Sequence, residues 1–143
     1  MILDVRLKYM ITENRIIDAL CRHLENTGYE IEGKCYTNQR GIDIIASHPQ
    51  EGLLFIEAKG EGSSRPTNVG QECFSRDQVN DHVGRGLLRI LKICAAGWNT
   101  ALVFPDNDDH TAEIQAIIDI LLHLNIKIFF VNSTSNVREE NGA

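Results

Sequence analysis

Two apolar runs, "GIDIIAS" (41–47) and "LLFIEAK" (53–59), flank the turn-forming stretch "HPQEG", and charge interrupts both: Asp43 in the first, Glu57 and Lys59 in the second. Pro and Gly between two such runs predict an antiparallel hairpin. If its centre lies near Gln50, residues whose numbers sum to about 100 face one another, and Asp43 falls beside Glu57 at a Cα separation of roughly 5 Å. Side chains alternate along a strand, so Glu57 and Lys59 share one sheet face while Ile56 and Ala58 take the other. An isolated charge buried in such a sheet costs several kcal/mol. The three groups must therefore face one another or something bound.

Like charges directly opposite one another destabilise a sheet. At an effective dielectric constant near 20, two carboxylates about 5 Å apart repel by roughly 3 kcal/mol, and one ammonium does not offset several acids. A hard divalent cation such as Mg²⁺ resolves the conflict, because it accepts carboxylate oxygens, keeps several waters and shares its site with phosphate oxygens. "EAK" on its own would read as an exposed ion pair worth under about 1 kcal/mol. The Asp in register across the turn changes that reading.

At 143 residues the chain suffices for one domain with a real core. Its 43% hydrophobic and 24% charged content is that of a globular protein. No apolar run has the length of a membrane span, and "MILDVRLKYM" lacks the layout of a signal peptide, so a cytoplasmic location without membrane contact is expected. Cys21, Cys35, Cys73 and Cys94 show no C-x-x-C pair and no zinc-ligand spacing. Free, mostly buried thiols are expected, with no disulfide. The net charge of −6 argues against a passive nucleic-acid binder, which should be basic. An enzyme that brings its own cations and a local basic stripe escapes that objection.

From Thr12 to about Thr27, Ile16, Ile17, Leu20, Cys21 and Leu24 recur at helical spacing, with Thr12 as N-cap, Ile11 and Ile16 as a hydrophobic staple, and Gly28 as the stop. "YEIEGKCY" and the two runs above read as three strands. A long loop, Gly60 to about Asp77, suggests a binding or lid segment. There follow a helix from about Gln78 to Ala96, a strand "TALVF", a helix from about Thr111 to Leu124 and a strand "IKIFFV", with a frayed tail from Asn132. The first ten residues fit strand or helix. No repeat or low-complexity segment is present. The order α-β-β-β-α-β-α-β describes a single α/β domain, a mixed central β-sheet flanked by helices.

Two further features join the hairpin. Glu13 precedes Ile16, Ile17 and Leu20 by three, four and seven residues and so lies on the helix stripe facing the sheet. It either reaches the carboxylate pair or complements the helix dipole for about 0.3–1 kcal/mol. In the later helix Gln78, His82, Arg85, Arg89 and Lys92 form one polar stripe beside an apolar one of Val79, Val83, Leu87, Leu91 and Cys94. Gln78 and His82 are the better candidates for contact with the site, and a solvated face is the plainer reading of Arg89 and Lys92. Trp98, just past Gly97, reads as the apolar partner of a helix C-cap.

Glu13 on the first helix, Asp43 on a strand and Glu57-Ala58-Lys59 on the next resemble the restriction-endonuclease-like superfamily of PD-(D/E)xK nucleases, over Thr12 to about Ala96. The resemblance implies a nuclease-like domain over residues 1–131 and Mg²⁺ as cofactor, with Mn²⁺ able to substitute. It implies Asp43, Glu57 and Glu13 as metal ligands, and Lys59 as the group that assists the attacking water. One branch carries Q-x-x-x-Y on the following helix; "QVNDH" supplies Gln78 as a further catalytic residue, with His82 where Tyr would stand. Ile42 replaces the motif Pro. The expected activity is metal-dependent hydrolysis of DNA phosphodiesters, in repair, recombination or restriction and defence, with His82, Arg85 and Arg89 contacting the nucleic acid. Assembly as a homodimer is left open. The rival reading is a catalytically silent nuclease-fold module that binds nucleic acid or a protein. A hydrolase of another metal class would show histidine ligands at helical or short spacing, and the five histidines form no such set.

Overall fold

The two alternating faces of one central strand divide the molecule into layers. In β4 (Asn99–Pro105), every residue after Asn99 is buried, as expected of a central parallel strand covered on both faces. Its Ala101 and Val103 join a cluster with Ile16, Ile17, Leu20 and Leu24 of helix α1 (Glu13–Asn26). Its Leu102 and Phe104 join a second cluster with Val79, Val83 and Ile90 of α2 (Arg76–Ala95), Ile114 of α3 (Asp108–Gln115), and Ile118 and Leu121 of α4 (Ile118–His123). Helices thus cover both faces. The structure, a computed structural model, describes residues 11–36, 41–61 and 75–141.

The sheet holds six strands in the order β1 (Glu30–Lys34), β2 (Ile44–His48), β3 (Gly52–Ala58), β4, β5 (Lys127–Val131) and β6 (Val137–Glu140). Neighbours are antiparallel from β1 to β3, parallel from β3 to β5, and antiparallel again between β5 and β6. The expected α/β class with a mixed, helix-flanked sheet is what the chain adopts. The hairpin register is also the expected one, with Ile44 opposite Ile56 and His48 opposite Gly52.

The differences have local causes. The tail expected to fray from Asn132 instead turns back and forms β6, because the Asn132 side chain accepts the amides of Thr134 and Asn136 at 3.0 and 2.9 Å and fastens the turn. Arg138 then pairs with Asp106 at 2.9 Å. The helix expected over 111–124 begins at Asp108, since Asn107 caps it by accepting the His110 amide, and it divides near Ile117. There the Ile117 amide bonds to Ile114 rather than one residue further back. Three β-branched isoleucines in this stretch, Ile114, Ile117 and Ile118, weaken a helix at that point. Helix α2 starts two residues early because Ser75 and Gln78 close a capping box. Cys21 is buried while Cys35 and Cys94 are half-buried, and no disulfide joins these three. Trp98 stays half-exposed and meets Phe55 edge-on at 5.2 Å. The first ten residues, most of the expected 60–77 loop, and Cys73 lie outside the described residues.

Candidate functional site

The hairpin register carries Asp43, one residue before β2, to the end of β3 where Glu57 sits. Both are buried, Asp43 at 7% and Glu57 at 3% exposure. Asp43 is held on two sides: its backbone carbonyl accepts the Cys35 amide at 2.9 Å, and its carboxylate accepts the Ala58 amide at 2.8 Å. Continuing the register of Ile44 opposite Ile56, the Glu57 carboxyl stands beside that of Asp43. Its Oε1 lies 3.7 Å from the Lys59 ammonium, on the same strand face. Burial, and then Asp43, raise the pKa of Glu57 well above the usual carboxyl range, and Lys59 and Arg89 oppose the rise. Two neighbouring buried carboxyls favour holding a proton.

Glu13 reaches this cluster from the other layer. Where β3 ends, the Glu61 amide bonds to the Ile11 carbonyl at 2.9 Å, and Gly60 passes so close to the start of α1 that a Cβ there would lie 2.5 Å from the Glu13 nitrogen. Only glycine allows the strand exit and the helix N-terminus to meet in this way. Thr12 caps the helix by accepting the Arg15 amide, as its sequence position suggested. Desolvation first, and then Asp43, raise the Glu13 pKa to about 7, while Lys59 and Arg89 pull it down. The structure thus brings Glu13, Asp43, Glu57 and Lys59 into one electrostatic group.

The stripe on α2 separates into different fates. Arg89, expected on the nucleic-acid side, points into the cluster: its Nε lies 3.3 Å from Glu57 Oε2, and its Nη2 donates to the Gly41 carbonyl. Glu57 Oε2 is nonetheless buried without a hydrogen bond, so the pair is held by charge alone. Arg85 is exposed and makes no ion pair among the described residues. Gln78 is exposed, and its Oε1 accepts the Ser75 amide at 2.8 Å, so the capping box takes up its side chain. His82 is partly buried, and burial, reinforced by the charge of Lys59, lowers its pKa to about 4.

Sequence reasoning missed two residues here. His110 is fully buried on α3, its Nδ1 2.9 Å from Asn107 Oδ1 and its Nε2 without a hydrogen-bond partner. Desolvation lowers its pKa to about 4, and its charge acts on His82. Asn107 in turn donates to Glu61 at 2.8 Å, which ties α3 to the exit of β3. Gly86 is the other: buried on α2, it packs against the stems of Lys59 and Glu57. A glycine inside an otherwise helical run signals close approach, and the "GRG" of 84–86 carried that signal.

Among the described residues no three His, Cys, Asp or Glu side chains converge into a complete metal-ligand set. The donors nonetheless suit a hard cation. All are carboxylate oxygens, one of them buried and without a hydrogen bond, and two of the three carboxyls have raised pKa values. A cavity of about 540 Å³ opens at the opposite end of the sheet, between Tyr29, Asn99 and Lys127, far along the strands from these groups. The Tyr29 hydroxyl there is committed to Glu51 at 2.7 Å. Among the described residues no helix is long and apolar enough to cross a membrane. No family model, curated protein or solved structure matches this chain.

Proposed function

We propose that the chain is a Mg²⁺-dependent nuclease that hydrolyses phosphodiester bonds of DNA, in the manner of the restriction-endonuclease-like enzymes its motifs resemble. The observation that carries this reading is the juxtaposition of the buried Asp43 and Glu57 where β2 meets the end of β3, with the Lys59 ammonium alongside. Asp43 and Glu57 would hold the ion, and Glu13 would complete the acidic surround from across the strand end. Bound there, a divalent cation supplies an acidified water and neutralises charge on a phosphoryl group.

The protein's own groups do the rest. The Asp43 carboxylate is fixed by the Ala58 amide, so it meets a substrate without reorganising. Lys59, 13% exposed at its side chain, is dry enough for its charge to count against developing negative charge at phosphorus. Arg85 projects from α2 and suits a flanking phosphate. His82 is neutral at ordinary pH and serves as a hydrogen-bonding group near Lys59 rather than as a cation.

One observation favours the silent-module reading: the Arg89 guanidinium already offsets the charge of Glu57. Incubation of the protein with linear, circular, branched and single-stranded DNA in Mg²⁺, Mn²⁺ or EDTA separates the two. The nuclease reading expects metal-dependent cleavage that Lys59→Ala lowers by roughly 10²–10³-fold, the effect of removing one preorganised stabilising group. Absence of cleavage on every substrate, with Lys59→Ala weakening binding only, would transfer the conclusion to the binding module.

A further inference from the structure

Helix α2 carries two glycines two positions apart, Gly84 and Gly86, and their surroundings differ completely. A Cβ built on Gly84 meets nothing within 4 Å. A Cβ built on Gly86 would lie 2.8 Å from Lys59 Cε, 3.5 Å from Lys59 Cγ and 3.6 Å from Glu57 Cγ. Only the first of these is too short, so a methyl group at 86 would displace the tip of the lysine and leave its base and Glu57 in ordinary contact. Lys59 has few other places to go: its side chain is 13% exposed, its backbone amide is bonded to the Val103 carbonyl at 3.0 Å, and its ammonium sits 3.7 Å from Glu57 Oε1.

We propose that Gly86 is a positioning residue: by lacking a side chain it lets the α2 backbone lie on the Lys59 stem, and this contact fixes the ammonium beside Glu57. Glycine weakens the interior of a helix, and its presence at a buried point over the site is accounted for by the close approach it permits. The catalytic consequence rests on the nuclease reading; the geometric claim does not. A group displaced by about 1 Å from its productive place loses up to roughly 10²-fold in rate.

Gly84→Ala and Gly86→Ala form a matched pair, since both gain the same helix propensity and only the second touches Lys59. In the metal-free protein, the Lys59 Cε–Hε correlation in a ¹H–¹³C spectrum, assigned by its loss in Lys59→Gln, should move in Gly86→Ala and stay in place in Gly84→Ala. Turnover on DNA should fall about 10- to 100-fold in Gly86→Ala with KM changed less than about twofold, and remain at the parent value in Gly84→Ala. An unmoved Lys59 signal in Gly86→Ala would overturn the proposal, as would equal turnover in the two variants. A Gly86→Ala protein that does not fold would also overturn it, because the contact would then support the core rather than place the lysine. If the parent cleaves no nucleic acid, the nuclease reading falls, and the Lys59 signal alone decides the positioning claim.

Discussion

Glu57 has one oxygen facing Lys59 and the other facing Arg89, and Asp43 stands opposite it in the hairpin register. Removing either cation leaves more of its negative charge uncompensated, so Arg89→Ala should raise the Glu57 pKa further. The variant should lose more thermal stability at pH 8, where the parent's carboxyl is more ionised, than at pH 5, where it is protonated in both; equal losses at the two pH values would mean that Arg89 acts through its packing. Arg85→Ala, by contrast, changes an exposed group without an ion pair among the described residues. It should leave stability unchanged and reduce the salt slope of DNA binding by up to about one unit. The identity of the acidic pair and its lysine could be read in advance because strand alternation and hairpin register are local geometry. The inward turn of Arg89, the burial of His110 and the contact of Gly86 depend on how helices lie across a sheet. No spacing along the chain encodes that. Gln78 shows a third case, in which local cap chemistry at Ser75 claims a side chain that the stripe pattern assigned elsewhere.

Three elements converge where β3 ends: the start of α1, the middle of α2 and the turn into α3. Gly60 is the joint between the exit of β3 and the first of these, because a side chain there would strike backbone atoms of Thr12 and Glu13, which cannot swing aside. Gly60→Ala should therefore cost about 1–3 kcal/mol in denaturant unfolding, as overpacking does, and should also push Glu13 away from Asp43. An unchanged unfolding midpoint would mean that α1 adjusts freely and that Glu13 is not held in the cluster. Element order was legible through β5, apart from the division of the helix at Ile117, because long periodic runs and end signals at Thr12 and Gly28 mark helix ends. The strand β6 was not. "VREE" has a single apolar residue, and it is the Asn132 turn that returns it antiparallel to β5, where the Arg138–Asp106 pair helps to hold it.

Across the whole molecule, buried titratable groups set opposing demands on pH. Glu13 and Glu57 each bind a proton more tightly folded than unfolded, so their contribution to stability falls as pH rises from 4.5 through about 7 for Glu13 and about 8 for Glu57. His82 and His110 are lowered from 6.5 to about 4, so theirs rises over that interval and is complete above it. The two trends offset each other in mildly acidic solution, and only the carboxyl trend persists above pH 6.5. In EDTA the melting temperature should thus be level between about pH 4.5 and 6.5 and fall towards pH 8, and Glu57→Gln should flatten the fall. A steady rise to pH 8 would show that the acidic cluster is not desolvated as described. The chain's acidic balance of −6 is therefore less informative about its partner than the local excess of three carboxyls over Lys59 and Arg89 at one end of the sheet. Calorimetric titration of the protein with Mn²⁺ tests most directly whether that excess is a cation site. The account predicts saturable binding in the parent that Asp43→Ala and Glu57→Ala each abolish; parent-like affinity in both variants would contradict it.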